Sequence, residues 1–243
     1  IWNAFRLITS WEVKDFDQPK SASIASDWLS SKLSKTILDL NEKFDKFRIS
    51  EALMTTYKFV WDDFCSLYLE MIKPGYQHPA DRTTFNEVVN FFELILKLIH
   101  PFTPFIAEEI WHLIKEREDS DCVVVSSWPD AGLVDDVLLT NFTIAEEIIS
   151  GVRNIRKEKN IANKILVDLV VKENETFSKE FDPIIEKLGN LSSLSYSDEK
   201  VDNAFSFIVK SNEYFIPFSA EVDVDAEIAK INEELKYNKG FLI

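Results

Sequence analysis

The chain has 243 residues, 46% of them apolar and 28% charged, which excludes a disordered chain and leaves enough apolar material for a real core. Its net charge of −15, taken alone, argues against nucleic acid as a partner, because phosphate binding wants a basic surface. Two cysteines, Cys65 and Cys122, fit a reduced, cytoplasmic protein without a disulfide framework.

Residues 1–118 read as helices. In "IWNAFRLITSW", Ile1, Phe5 and Ile8 recur at helical spacing, as do Leu7 and Trp11. The stretch "SASIASDWLSSKLSKTILDLNEKFDKF" opens with serines suited to an N-cap. It then places Ile24, Trp28, Leu29, Leu33, Ile37, Leu40, Phe44 and Phe47 mainly three and four residues apart. "RISEALMTTYKFVWDDFCSLYLEMIK" repeats the pattern and stops at Pro74-Gly75. "TTFNEVVNFFELILKLI" follows, with Thr83 or Thr84 as its cap. In "HPFTPFIAEEIW", 100–111, Pro101 turns the chain, Thr103 is placed to cap, and Pro104 sits at the first helical position. Short connections between these helices predict an antiparallel bundle.

Residues 119–142 carry five Asp and no Lys or Arg and read as a linker, in which "CVVVSSW" could form a short strand. A small α/β domain is expected over 143–218. Its pieces are a helix "FTIAEEIISGVRNIRKEKN", a strand "KILVDLVVK", a helix "TFSKEFDPIIEKLGN" closed by Gly189, and strands "SLSYS", "FSFIVK" and "EYFIPF". Residues 143–164 hold a net charge of +2, so "GVRNIRKEKN" is the locally basic segment of an acidic chain. In the tail, 219–243, Ile228, Ile231, Leu235 and Leu242 occupy heptad-like positions, as at the start of a coiled coil, with a surface helix as the other reading.

Chemistry-bearing motifs are missing. Five glycines leave no room for a phosphate-cradling loop, and there is neither a G-x-S-x-G elbow nor an oriented Cys–His pair. His100 and His112 lack the i, i+4 spacing of a zinc-binding helix, and neither cysteine has a second ligand close in sequence, so no metal site is expected. No signal segment opens the chain. The most apolar run, 88–99, is broken by Asn90, Glu93 and Lys97 and is too short to span a bilayer. The start at Ile1, without an initiator Met, is what a piece of a longer protein would show.

Taken in order, "IWNAFRLI", "YKFVWDDFCSLYLEMIKP", "HPFTPFIAEEIWHLI" and "SSWP" resemble the C-terminal half of class I aminoacyl-tRNA synthetases of the valine, isoleucine and leucine group. "FCSLYLEMIKP", "GVRNIRKEKNI" and the tail "VDVDAEIAKINEEL" are most similar to the valyl branch. The family's HIGH-like and KMSKS-like motifs are absent. The resemblance therefore implies the anticodon-binding region without its catalytic body: a mainly α chain that binds tRNA(Val), does no chemistry itself and holds no cofactor. ATP with Mg²⁺ would serve the full-length enzyme. A monomer is expected, with possible pairing through the tail in a crystal. An isoleucyl or leucyl enzyme, or a helical protein–protein interaction module, are the alternatives.

A bundle of that family reads an unstacked anticodon loop by stacking and by base-edge hydrogen bonds. On the first helix, Asn3, Arg6 and Ser10 share a stripe away from Ile1, Phe5 and Ile8 and are the expected readers. The alternative for Arg6 is a simple ion pair with a nearby carboxylate. Arg153, Arg156 and Lys157, at i, i+3 and i+4, are expected to face the tRNA backbone. Trp11, Trp28, Trp61 and Trp111 are expected in the core.

Overall fold

A computed structural model describes residues 1–174 and 178–217. The expected coiled-coil positions Ile228, Ile231, Leu235 and Leu242 lie outside the described residues. The described chain is mainly α and divides by contact into two units. The first comprises Ile1–Glu146 and Ser178–Leu188, and the second begins at Glu147 and resumes at Gly189. The division therefore falls inside a helix, and not across 119–142.

In the first unit, α1 (Trp2–Thr9) buries Ala4, Phe5 and Ile8 and turns its other side to solvent. The long α2 (Lys20–Asp45) is about 39 Å at 1.5 Å per residue. Ile24, Trp28, Leu29, Leu33, Ile37 and Leu40 are buried as their spacing predicts. The stripe ends there: Phe44 is only half-buried and Phe47, with φ of 55°, is exposed. α2 begins at Lys20, after Pro19, so the serines lie within the helix and do not cap it.

Ser26, Ser31, Ser34 and Thr36 are also buried, so α2 is covered on more than its apolar side. What covers it in part is the expected linker. Asp135 N donates to Ser31 Oγ at 2.7 Å, Gly132 N to Ser34 Oγ at 3.1 Å, and Trp128 Nε1 to Asn41 Oδ1 at 2.9 Å. "CVVVSSW" is no strand; Val123–Val125 form a single 3₁₀ turn that buries Val123 and exposes Val124 and Val125.

α3 (Ile49–Lys58) passes without a break into a π-helix (Phe59–Tyr68) and then α4 (Leu69–Ile72). A two-residue parallel link joins β1 (Val13–Lys14) to β2 (Ala80–Asp81). α5 (Arg82–Ile99) is capped by neither Thr83 nor Thr84. Asp81 accepts from Thr84 N at 2.8 Å, a carboxylate being the better acceptor beside the positive helix end. α6 (Pro104–Ile114) has Pro104 in its first turn as expected, but the Thr103 hydroxyl donates back to Ile99 O at 3.2 Å instead of capping.

α7 (Asp136–Glu158) and α8 (Asp182–Gly189) follow. Phe142 on α7 meets the Trp28 ring at 4.3 Å and the Phe181 ring at 5.4 Å, all within the first unit. In the second unit β3 (Val167–Lys172), β4 (Leu191–Ser197), β5 (Ala204–Val209) and β6 (Asn212–Pro217) form a sheet of order β4-β3-β6-β5. β3 pairs parallel with β4 and antiparallel with β6, and β5 pairs antiparallel with β6. Val167, Leu169 and Val171 point to the buried face, the period-2 pattern of the sequence. Gly189 does not supply the left-handed stop of α8. Asn190, with φ of 54°, does so one residue later. No described helix is long and apolar enough to cross a membrane.

A Cβ added to Gly151 on α7 would run into the Phe207 ring. Gly151→Ala is therefore expected to destabilise the protein by about 1–3 kcal/mol through overpacking, read as a lower urea midpoint.

Lys32 lies 3.2 Å from Asp63 in the first unit. Burial pushes the carboxyls of Asp63 and Glu146 above their usual range, Lys32 opposing it in both cases. A carboxyl whose folded pKa is raised holds its proton more tightly in the folded state, so its ionisation at neutral pH weakens the fold. Glu146→Gln is expected to raise the urea midpoint at pH 7.5. That gain should shrink as pH falls through the raised folded pKa toward the ordinary carboxylate range; a gain that grows on acidification would contradict it.

Candidate nucleic-acid interface

α1 offers its polar stripe as the spacing predicts. Asn3, Arg6 and Ser10 are all exposed, while Ala4, Phe5 and Ile8 face inward. Ser10 caps the helix end and donates its hydroxyl to Leu7 O at 2.7 Å, which leaves its oxygen lone pairs to accept. Among the described residues Arg6 enters no ion pair with a carboxylate. A planar, exposed guanidinium in a chain with 42 acidic residues is a ready donor for a base edge or phosphate.

The basic helix is divided. Arg153 and Lys157 are exposed on α7, one turn apart. Arg156 is not with them: it is 5% exposed and sits inside the second unit. Its Nε donates to Gly189 O at 3.2 Å, Nη2 to Asn190 O at 2.7 Å, and Nη1 to Ile165 O at 2.9 Å and Ala162 O at 3.4 Å. Burial lowers its pKa, yet a guanidinium stays charged, here held by four backbone carbonyls. Arg156 as a tRNA contact is thus corrected: it is a structural staple. The i, i+3, i+4 count grouped it with its charged neighbours. It also falls four residues after Val152 and seven after Ile149, both buried, and that pattern was the signal to its real direction.

Trp61 corrects another expectation. Trp28 and Trp111 are buried and Trp11 half-buried, but Trp61 is 58% exposed. Its ring stacks parallel to Tyr57, itself exposed, with centroids 6.3 Å apart. The π-helix that begins at Phe59 changes the angular step per residue, so an α-helical count no longer finds the inner face. Exposed paired aromatics are the stacking surface that single-stranded bases use.

The corner "HPFTPFIAEEIW" organises the start of the loop behind it. Trp111 Nε1 donates to Asp121 O at 2.8 Å, and the Arg117 guanidinium lies 3.8 Å from the Trp111 ring centroid while pairing with Glu93. Val123 N donates to both oxygens of Glu108 at 3.1 Å. This closure carries Cys122 to Glu108 and His112, whose ligand atoms and its own lie within 4.8 Å of one another. Spacing along the sequence did not show this proximity: Glu108 and His112 are i, i+4 on α6, and the third member arrives through a loop that spacing rules do not cover.

The family described as the anticodon-binding domain of tRNA ligases matches residues 26–171. The valine–tRNA ligase of Christiangramia forsetii is 47% identical over 243 residues, covering 100% of this chain and 28% of its own length. That of Parabacteroides distasonis is 45% identical over 245 residues, with the same shares. That of Enterococcus faecalis is 32% identical over 250 residues, covering 97% of this chain and 28% of its own. The chain thus spans 28% of the length of these curated relatives.

Arg156→Ala would leave buried carbonyls without donors, and each such group costs roughly 1–3 kcal/mol. It is expected to lower the unfolding midpoint by more than Arg153→Ala or Lys157→Ala, which change exposed positions. Chemical denaturation of the three variants side by side checks the assignment. Equal effects would return Arg156 to the surface.

Proposed function

This chain belongs to the family of anticodon-binding domains of tRNA ligases, and on that premise we propose that it is the tRNA-binding region of a valine–tRNA ligase. Such an enzyme joins valine to tRNA(Val) with ATP and Mg²⁺ in the cytoplasm, and its ligation chemistry lies in the remainder of the protein. In this region helices α1 to α6 act as an antiparallel bundle that holds and positions the tRNA. The sequence pattern of 219–243 suits the start of a coiled-coil arm, and the region works as a monomer. The valyl reading is favoured over the isoleucyl and leucyl ones because valine–tRNA ligases match essentially the whole chain.

The observation that supports this reading is the α1 stripe, where Asn3, Arg6 and Ser10 stand exposed and Arg6 has no carboxylate partner among the described residues. The Asn3 amide offers a donor and an acceptor to a base edge. The Arg6 fork offers donors to a base or a phosphate, and Ser10 an acceptor. Tyr57 and Trp61 add an aromatic plane for an unstacked base. Arg153 and Lys157 supply phosphate contacts that hold register without reading sequence.

Net charge of −15 keeps the unspecific electrostatic term small, so discrimination rests on base contacts. Arg6→Ala is expected to cost about 1–3 kcal/mol in affinity for tRNA(Val) and to narrow its preference over an anticodon-swapped version. Arg153→Ala should weaken both tRNAs alike and reduce the salt slope by about 1. Fluorescence titrations of both tRNAs at two salt concentrations measure this. An unchanged ratio in a folded Arg6→Ala protein would remove α1 as the reader.

A further inference from the structure

Glu108, His112 and Cys122 make up, among the described residues, a group whose chemistry the tRNA reading does not use. Glu108 and His112 lie one turn apart on α6, with His112 Nε2 3.3 Å from Glu108 Oε1. Cys122 is brought in by the loop that follows α6. Its thiol lies 3.3 Å from Asp119 O, and the next residue, Val123, anchors the Glu108 carboxylate through its N–H. A fourth candidate is adjacent, since His100 Nε2 lies 3.9 Å from Glu108 Oε2. All four residues belong to the first unit, and all are partly shielded from solvent.

We propose that Glu108, His112 and Cys122 bind one divalent transition-metal ion of the zinc class, with His100 completing the coordination. A thiolate, an imidazole and a carboxylate together suit Zn²⁺ or Co²⁺ and do not suit Mg²⁺ or Ca²⁺, which take oxygen ligands. In a tetrahedral zinc site, bond lengths of 2.0–2.3 Å put neighbouring ligand atoms about 3.5 Å apart. The ligand atoms of Glu108, His112 and Cys122 lie within 4.8 Å of one another, so binding requires side-chain rotation to bring them to that spacing. The Val123 N–H on Glu108 is the outer hydrogen bond that orients a ligating carboxylate. Binding replaces the S–H bond of Cys122 by an S–metal bond and releases that proton to solvent, with no change of oxidation state. The ligand is the thiolate, so binding competes with the thiol proton and the affinity rises with pH. The role is structural: the ion ties the start of the 119–142 segment to α6.

The test is titration of the reduced, metal-free chain with Co²⁺, followed by displacement with Zn²⁺. One Co²⁺ per chain is expected to give a sulfur-to-cobalt charge-transfer band in the near ultraviolet together with the intense visible bands of a tetrahedral site. Zn²⁺ should bleach both. Cys122→Ser and His112→Gln, checked by circular dichroism for an intact fold, should lose the charge-transfer band or the tetrahedral bands respectively, while Cys65→Ser keeps both. Absence of a stoichiometric band in the wild-type chain overturns the proposal, whatever the variants do. So does a band that survives Cys122→Ser, or an unaltered spectrum in His112→Gln. None of these outcomes depends on tRNA binding, so the two readings stand or fall separately.

Discussion

Much of the first unit is arranged around α2, a helix covered on more than one face although Asp27, Ser30, Lys35 and Leu38 keep one stripe in solvent. α2 buries an apolar stripe and, on other faces, Ser26, Ser31, Ser34 and Thr36. A helix in that position needs short side chains where other backbone comes close and a partner for each hydroxyl it buries. Both conditions hold. Ser31 and Ser34 receive backbone N–H groups from 135 and 132, and Thr36 donates to its own i−4 carbonyl. Ser26 donates to Glu87 Oε2 at 2.5 Å, which obliges Tyr68 to donate to Ser26, and Gln18 donates to the same carboxylate oxygen. One carboxylate on α5 thereby orders α2, the π-helix and the chain ahead of α2. Burial, with Glu87 and Asp81 adding to it against the Ser26 bond, pushes the Tyr68 hydroxyl far above its usual range, so it remains a donor at any ordinary pH.

The parts of this arrangement that follow from local rules were legible in the sequence. The α2 stripe from Ile24 to Leu40, the alternation of β3, the stop at Pro74 and the start of α6 at Pro104 each depend on residues within a turn or two of one another. What was hidden depends on distant partners or on a change of helical step. The acidic stretch 119–142 looked like a linker because its charge is exposed. It docks because serines a hundred residues earlier accept its N–H groups. Asp81 took the cap that a threonine was expected to provide, a choice between neighbours decided by charge.

The exposure of the candidate residues was half legible for the same reason. The α1 stripe of Asn3, Arg6 and Ser10 emerged intact because α1 is short, regular and amphipathic. The basic patch did not, since one of its three cations was also part of the apolar stripe of α7. Losing Arg156 to the interior leaves the exposed side of that helix poorer in positive charge than its composition suggests. The Tyr57–Trp61 pair and the Glu108–His112–Cys122 group were both invisible to counting, the first because the π-helix shifts phase and the second because a loop supplies its third member.

The π-helix has a consequence for how this chain can change length. Between Ala52 and Thr56 at one end, and Leu69, Met71 and Ile72 at the other, both flanks of the same continuous helix are packed inward. The wider π turn underwinds the helix, and over ten residues the difference from α geometry accumulates to about half a turn. An insertion or deletion between Phe59 and Tyr68 would thus rotate one buried flank out of register with the other. In a loop a lost residue only shortens the connection; here it would act as a gear slipping a tooth. The segment should tolerate substitution at its exposed positions while admitting almost no variation in length.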